Sequence, residues 1–216
     1  MNMFYANTAV NWVLALLIVL STTFACELGC NLQKPPYNVD WSKMPPKWYL
    51  SSHTPDETFS NVIACQIIEN ITNSGPDDYR IFLKNYYVSG ADPRSFWFHG
   101  QMKHDSCFYS GTDEGPSIQV NSEVSLNYND IKAVIEETRR HNSGKHHVVS
   151  TDYSTYLIFA ICIKEEDELL VLVFQSTPDP SDKDMLQAEN GLRIIKAHSP
   201  LEPSKCFQHD FEKKKR

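Results

Sequence analysis

Two apolar runs and a helix near the end of the chain limit the folds that this sequence can adopt. Tyr156–Ile163 and residues 169–174 are apolar runs separated by an acidic turn, and an amphipathic segment and Cys206 follow them. Runs of roughly four to eight apolar residues between turn signals are typical of buried strands. A buried hairpin followed by one helix and a cysteine therefore predicts a sheet that closes into a barrel and is then cross-linked.

The preceding residues add short strand patterns at even spacing. One of them follows a turn signal at residues 73–76, and it places Tyr79, Ile81 and Leu83 on one face. The predicted strands cover residues 48–50, 59–71, 78–88, 95–103, 107–110, 118–126, 146–150, 156–163 and 169–174. Residues 130–140 fit either a helix or a strand. About eight such strands predict an all-β fold, an eight-stranded antiparallel up-and-down barrel that encloses a small cavity.

One helix is predicted after the last strand, over residues 181–197. Ser181 is its expected N-cap, and Asp184 completes a capping box. Apolar residues recur at helical spacing on one face, so we expect this C-terminal helix to pack against the outside of the barrel. These residues are Met185, Ala188, Leu192 and Ile195. Gly191 is expected to weaken the helix slightly.

The chain is predicted to contain a secretory signal peptide (residues 1–25), one barrel domain (residues 26–210) and a basic tail (residues 211–216). Residues 10–20 are almost wholly apolar, and small residues follow them up to Ala25, where cleavage is expected. The apolar run is too short to cross a bilayer comfortably. We therefore expect a secreted, extracellular protein with no membrane span.

Six cysteines lie beyond that cleavage point, and an even number in a secreted chain indicates disulfide bonds. Asn70 begins an Asn-Ile-Thr acceptor, which predicts a glycoprotein. The net charge of −7 argues against nucleic acid as a partner. We find no catalytic or phosphate-binding motif, so we expect no enzymatic activity, cofactor or metal site. His146 and His147 are expected to form a polar strand end.

Short motifs at the start of the first strand and between the sixth and seventh strands carry a resemblance to the lipocalins. The first-strand Gly-x-Trp signature of that family corresponds to Pro46-Lys47-Trp48, with Pro46 in place of the Gly, whereas its Thr-Asp-Tyr turn is matched in full by Thr151-Asp152-Tyr153. The Arg expected after the last strand is replaced by Ser176. Over about residues 30–206 the chain resembles in particular the arthropod and apolipoprotein D-like branch, which includes bilin carriers and salivary proteins. The resemblance implies a lipocalin calyx whose floor is closed by Trp48.

The family pattern also implies how the cysteines pair. It joins the N-terminal approach to the seventh strand, and the second strand to the C-terminal tail. The implied bridges are Cys30–Cys162, Cys65–Cys206 and Cys26–Cys107. Cys26 and Cys30 can exchange roles in this scheme, because either lies in the N-terminal approach.

The barrel interior is expected to bind a small hydrophobic ligand, such as a lipid, bilin, haem or amine-like molecule. The candidate ligand-binding residues are Tyr79, Ile81, Leu83, Phe96 and Phe98. His99 is expected to be satisfied or exposed, with axial ligation of haem as the alternative. The implied function is a secreted carrier or scavenger. The alternative is an interaction protein that inhibits a protein partner through surface loops at residues 52–57, 89–94 and 111–116.

Overall fold

The sheet closes into a barrel of eight antiparallel strands, with a short ninth strand outside it. The computed structural model describes residues 29–102, 108–113, 146–163 and 168–207. The strands are β1 (Trp48–His53), β2 (Ile63–Gly75), β3 (Asp78–Tyr87), β4 (Arg94–Met102), β5 (Tyr109–Asp113), β6 (His146–Thr151), β7 (Tyr156–Ile163), β8 (Glu168–Gln175) and β9 (Glu202–Pro203). The helices are α1 (Glu57–Asn61) and α2 (Asp182–Ile194), and single 3₁₀ turns occupy Gly29–Asn31, Trp41–Lys43 and Lys205–Phe207. The predicted eight-stranded antiparallel barrel with a C-terminal helix is confirmed.

Closure of the barrel depends on β1, which pairs with β8 on one edge and β2 on the other. Its pairing with β2 is limited to Trp48 and Tyr49. A register shift between Leu50 and Ser52 marks a bulge, which bends β1. Ser52 and His53 then pair with β9, so the ninth strand covers the edge of β1 that β2 leaves.

The segment between β1 and β2 is helical where a strand is predicted. Residues 57–61 form α1, and β2 begins only at Ile63. The side chain of Asp56 explains the difference, because its Oδ1 accepts a hydrogen bond from the Phe59 backbone N–H at 3.1 Å. Such a side-chain acceptor favours a helical turn over an extended chain. The prediction of a strand starting at residue 59 is therefore wrong.

The fifth strand differs in its bounds from the prediction. β5 begins at Tyr109 and ends at Asp113, so it includes part of the surface loop expected at residues 111–116. Two further predictions, for residues 118–126 and 130–140, lie outside the described residues. The barrel is complete with the eight strands above, since β5 pairs directly with β6.

Helix α2 packs on the barrel through a narrower strip than predicted. The capping box is confirmed, since Ser181 and Asp184 exchange hydrogen bonds between side chain and backbone. Met185 is 38% exposed, so its predicted place in the buried face is wrong. Gly191 instead lies close to the barrel wall, since a Cβ atom there would be 2.5 Å from the Tyr156 ring. The low helix propensity of glycine is thus offset by closer packing of helix and sheet.

The buried apolar side chains form two clusters on opposite faces of the sheet. One fills the barrel interior and includes Trp48, which is fully buried and donates its Nε1–H to the Pro45 carbonyl at 2.9 Å. The other lies between the barrel and α2 and includes Ile158 and Ile195. Because β7 is covered on both faces, all its residues are buried, and all except the hydroxyl-bearing Tyr156 are apolar.

Two disulfide bonds connect the chain ends to the barrel wall. They are Cys30–Cys162, with Cα atoms 5.8 Å apart, and Cys65–Cys206, with Cα atoms 4.6 Å apart. The first joins the N-terminal approach to β7, and the second joins β2 to the segment after α2. Both are pairs that the family pattern implies, and Cys26 and Cys107 lie outside the described residues.

The Cys65–Cys206 bridge is expected to stabilise the fold and to hold the C-terminal segment in place. Because it spans 141 residues, the double variant Cys65→Ala/Cys206→Ala should lose about 3–5 kcal/mol of unfolding free energy in urea titrations. The Ser204 N–H, which donates to Ser51 O at 2.9 Å, should also exchange faster with deuterium. Cys30→Ala/Cys162→Ala is the matched control, and equal protection of Ser204 in both variants would contradict this assignment.

Candidate functional site

One end of the barrel is closed by four packed rings, which we call the aromatic floor: Trp41, Tyr79, Tyr109 and His147. The Trp41 ring stacks on Tyr79, with ring centroids 3.9 Å apart. Its Nε1–H donates to Tyr109 Oη at 3.2 Å. Tyr79 Oη is hydrogen-bonded to His147 Nε2, so the phenol reaches across the interior from β3 to β6. All four side chains are buried, which leaves this end of the barrel filled.

The Tyr79 ring fits because its cross-strand partner has no side chain. Tyr79 on β3 is paired directly with Gly100 on β4, and a Cβ atom at Gly100 would overlap the phenol ring. Glycine weakens a strand in general, but here it gives the ring room inside the barrel. Burial raises the pKa of Tyr79 well above its ordinary value and raises that of Tyr109 to about 12. The two phenols of the floor are therefore uncharged at physiological pH.

The Thr151-Asp152-Tyr153 turn is hydrogen-bonded to the segment that carries Trp41 of the aromatic floor. Asp152 Oδ1 accepts hydrogen bonds from the backbone N–H groups of residues 154–156 at 2.8 to 3.1 Å. Burial opposes ionisation of Asp152, but these hydrogen bonds together with that from the Thr155 hydroxyl lower its pKa. Tyr153 Oη accepts from the Asp40 N–H at 2.9 Å. This contact connects the turn to the 3₁₀ segment that carries Trp41.

Beyond the floor, the barrel contains a cavity of about 80 Å³. Phe59 of α1 contributes to its wall, so this helix borders the cavity at the end of β1 away from Trp41. The apolar lining residues are Phe59, Ile63, Ile81, Leu83, Phe96, Phe98, Phe159, Ile161, Leu170, Leu172 and Phe174. The polar ones are Gln66, Asn85 and His147. Small-molecule sites commonly measure roughly 300–1,000 Å³, so this cavity is smaller than most of them.

Four of the five candidate ligand-binding residues border this cavity. They are Ile81, Leu83, Phe96 and Phe98. Direct pairing of Ile81 with Phe98, and of Leu83 with Phe96, places them on one face of the sheet. The fifth candidate, Tyr79, belongs to the aromatic floor. Their role in binding a ligand stays a prediction.

Other residues that line the cavity could not be predicted from the sequence. β7 and β8 are apolar on both faces, so alternation cannot separate the inner residues Phe159 and Leu172 from the outer ones. The expectation that His147 is part of a polar strand end is wrong, since it is 1% exposed and faces the interior opposite Tyr109. Because His146 and His147 are identical neighbours, the sequence gives no alternation that would show which of them faces the interior. Gln66 was missed because it lies within a run of apolar residues.

His99 lies on the outer face of β4, away from the cavity. Its Nε2 is 2.8 Å from Asp78 Oδ2, and its side chain is only partly exposed. His99 thus has a hydrogen-bond partner, as expected from the sequence. Its position gives no support to axial ligation of haem. In the part of the chain that the structure describes, no group of three or more His, Cys, Asp or Glu side chains could hold a metal ion.

The fold defines the class of protein to which this chain is comparable. An eight-stranded antiparallel barrel with one helix packed outside is the calyx fold of the lipocalins. No helix among the described residues is long and apolar enough to span a membrane. Asn70 is exposed on β2, and its glycosylation stays a prediction.

Comparison with known proteins agrees with this fold. Lobster apocrustacyanin A1 superposes with a TM-score of 0.50 at 12% identity, covering 79% of this chain and 89% of that chain. Apocrustacyanin C2 gives a TM-score of 0.50 at 14% identity, covering 76% of this chain and 77% of that chain. No protein-family model matches the sequence, and no curated protein matches it. Identities this low establish a shared fold only.

The buried phenols of the floor make the fold sensitive to alkali. In the unfolded chain a tyrosine loses its proton near pH ~10, whereas Tyr109 in the folded chain keeps it to about pH 12. The unfolding free energy should therefore fall as pH rises between these values. Tyr109→Phe should reduce that slope by up to ~1.4 kcal/mol per pH unit, measured from urea midpoints. An unchanged slope would contradict a raised pKa at Tyr109.

Proposed function

We propose that this protein is a carrier or scavenger that binds one small, mainly hydrophobic molecule in the barrel cavity. The observation that carries the proposal is the composition of the cavity wall, in which eleven of the fourteen described residues are apolar. Burial of an apolar ligand there would stabilise the complex by roughly 25 cal/mol per Å² of apolar surface removed from water. The aromatic floor supports the proposal because it closes the barrel and keeps one end dry.

The size of the cavity restricts the ligand. At about 80 Å³ it is far smaller than a site for a bilin or haem group would be. A ligand about as large as one aromatic ring is the best match, and the five phenylalanines of the wall are suited to contact it. Larger ligands of the kinds expected from sequence would require those rings to move.

We further propose that the protein is secreted and belongs to the arthropod and apolipoprotein D-like lipocalins. The apolar segment at residues 10–20 supports secretion, and so do the two disulfide bonds, because such bonds persist in oxidising compartments. The Thr151-Asp152-Tyr153 turn supports the family assignment, since it connects strands β6 and β7 as the family pattern requires. The lipocalin-like fold is consistent with both.

The second candidate function is inhibition of a protein partner through the surface of the barrel. The small cavity volume favours it, because a barrel filled mostly by its own side chains has little room for a ligand. Ser52 and His53 do not belong to its contact surface, since both are buried in β1. Of the other two predicted contact loops, residues 111–113 are part of strand β5. Residues 89–93 form a largely exposed loop between β3 and β4, so this loop is the best candidate contact surface.

A cavity-filling substitution separates the two functions. Ile161→Phe should occupy the space next to Leu170, and we expect it to weaken binding of a small aromatic ligand at least tenfold. Val88→Phe, at a position 47% exposed outside the cavity, is the matched control and should bind as the unaltered protein does. Calorimetric titration and thermal melting of both variants provide the measurement.

Native mass spectrometry of protein from its natural source provides an independent test. The carrier function predicts a bound mass that organic solvent removes. If only the apo mass appears, and no lipid, retinoid, bilin, haem, amine or small aromatic compound changes the tryptophan fluorescence, the carrier function is wrong. Inhibition of a protein partner would then be the remaining candidate function.

A further inference from the structure

The apolar cavity contains one pair of buried amides. Gln66 on β2 and Asn85 on β3 are direct cross-strand partners, so both side chains point to the same face. They are 4% and 5% exposed and both border the cavity. Gln66 Nε2–H donates to Asn85 Oδ1 at 2.8 Å. The pair therefore forms a single polar strip on a wall of aliphatic and aromatic side chains.

This hydrogen bond uses only part of the hydrogen-bonding capacity of the two amides. A carboxamide has one carbonyl oxygen acceptor and an NH₂ group with two donors. Among the described residues, neither Gln66 Oε1 nor Asn85 Nδ2 takes part in a hydrogen bond. In that part of the chain the polar side-chain atoms that are both fully buried and unpaired are Ser52 Oγ and Asp78 Oδ1, so both amide atoms keep some accessible surface. Because both residues border the cavity, an acceptor and a donor are presented there side by side, and a bound molecule can pair with them.

The remainder of the described wall offers no charge to a ligand. It contains no Asp, Glu, Lys or Arg, and the third polar residue, His147, already shares its Nε2 in a hydrogen bond with Tyr79. A carboxylate or ammonium group in such a wall would lose its hydration without gaining an ionic partner, which is strongly unfavourable. A neutral polar group would lose far less and would gain the free amide atoms.

We propose that Gln66 and Asn85 form a polar recognition subsite, which selects small apolar ligands carrying one neutral hydroxyl, carbonyl or carboxamide group and rejects carboxylates and amines. The proposal rests on the proposed carrier function and specifies its ligand class. A ligand carboxamide matches the subsite best, because its NH₂ can donate to Gln66 Oε1 while its carbonyl accepts from Asn85 Nδ2. The apolar body of the ligand would then lie against Phe96 and Phe98.

Five ligands of nearly equal size test the subsite in the full-length protein. Toluene, benzyl alcohol, benzamide, benzoate and benzylamine share one ring and differ in a single substituent. Calorimetric titration at neutral pH is expected to rank benzamide and benzyl alcohol first, with benzoate and benzylamine at least a hundredfold weaker. Equal affinity of benzamide and benzoate would overturn the subsite and leave the carrier function standing. Absence of binding by all five would overturn both.

Two variants assign the selectivity to the amide pair. Gln66→Leu/Asn85→Leu removes both partners together, so no buried amide is left unpaired. It should weaken benzamide about tenfold and leave toluene unchanged or tighter, and an unchanged affinity for benzamide would overturn the proposal. Asn85→Asp keeps the shape of the side chain and introduces a carboxylate, which should admit benzylamine. If benzylamine stays excluded from a folded Asn85→Asp protein, the proposed role of Asn85 is wrong.

Discussion

The enclosed interior of this protein depends on the backbone hydrogen bonds that β1 makes with β8 on one edge and β2 on the other. Without that strand the sheet would have two open edges and no enclosed interior. The bulge between Leu50 and Ser52 bends β1 at the point where its partner changes from β2 to β9. Closure therefore produces two regions: an enclosed interior, and a short edge of β1 that β9 covers.

The barrel interior has two parts, the filled aromatic floor and the cavity. The aromatic floor uses hydrogen bonds and stacked rings to fill one end, and its tyrosines remain uncharged because burial opposes their ionisation. The volume left at the other end is small. The same closely packed rings that stabilise the barrel thus limit the size of any molecule that could enter it.

The covered edge of β1 connects the C-terminal segment to the border of the cavity. Ser60, at α1, donates through its hydroxyl to Glu202 Oε2 at 2.9 Å, and Lys205 Nζ donates to the Ser60 carbonyl at 3.4 Å. Cys206 then joins this segment to β2 through its bond to Cys65. Because Phe59 of α1 lines the cavity, the C-terminal segment and its disulfide help to hold one part of the cavity wall in place.

The sequence by itself determined the eight-stranded barrel, the capping box of α2 and the alternation that places Ile81 and Leu83 on one face, because these depend on local periodicity and turn residues. Only the tertiary structure decided that Tyr79 fills the floor while Phe98 borders the cavity, and that His147 and the Gln66–Asn85 pair face inward. The reason is physical: these positions depend on register between strands, and a slip of one residue would reverse the face of every side chain.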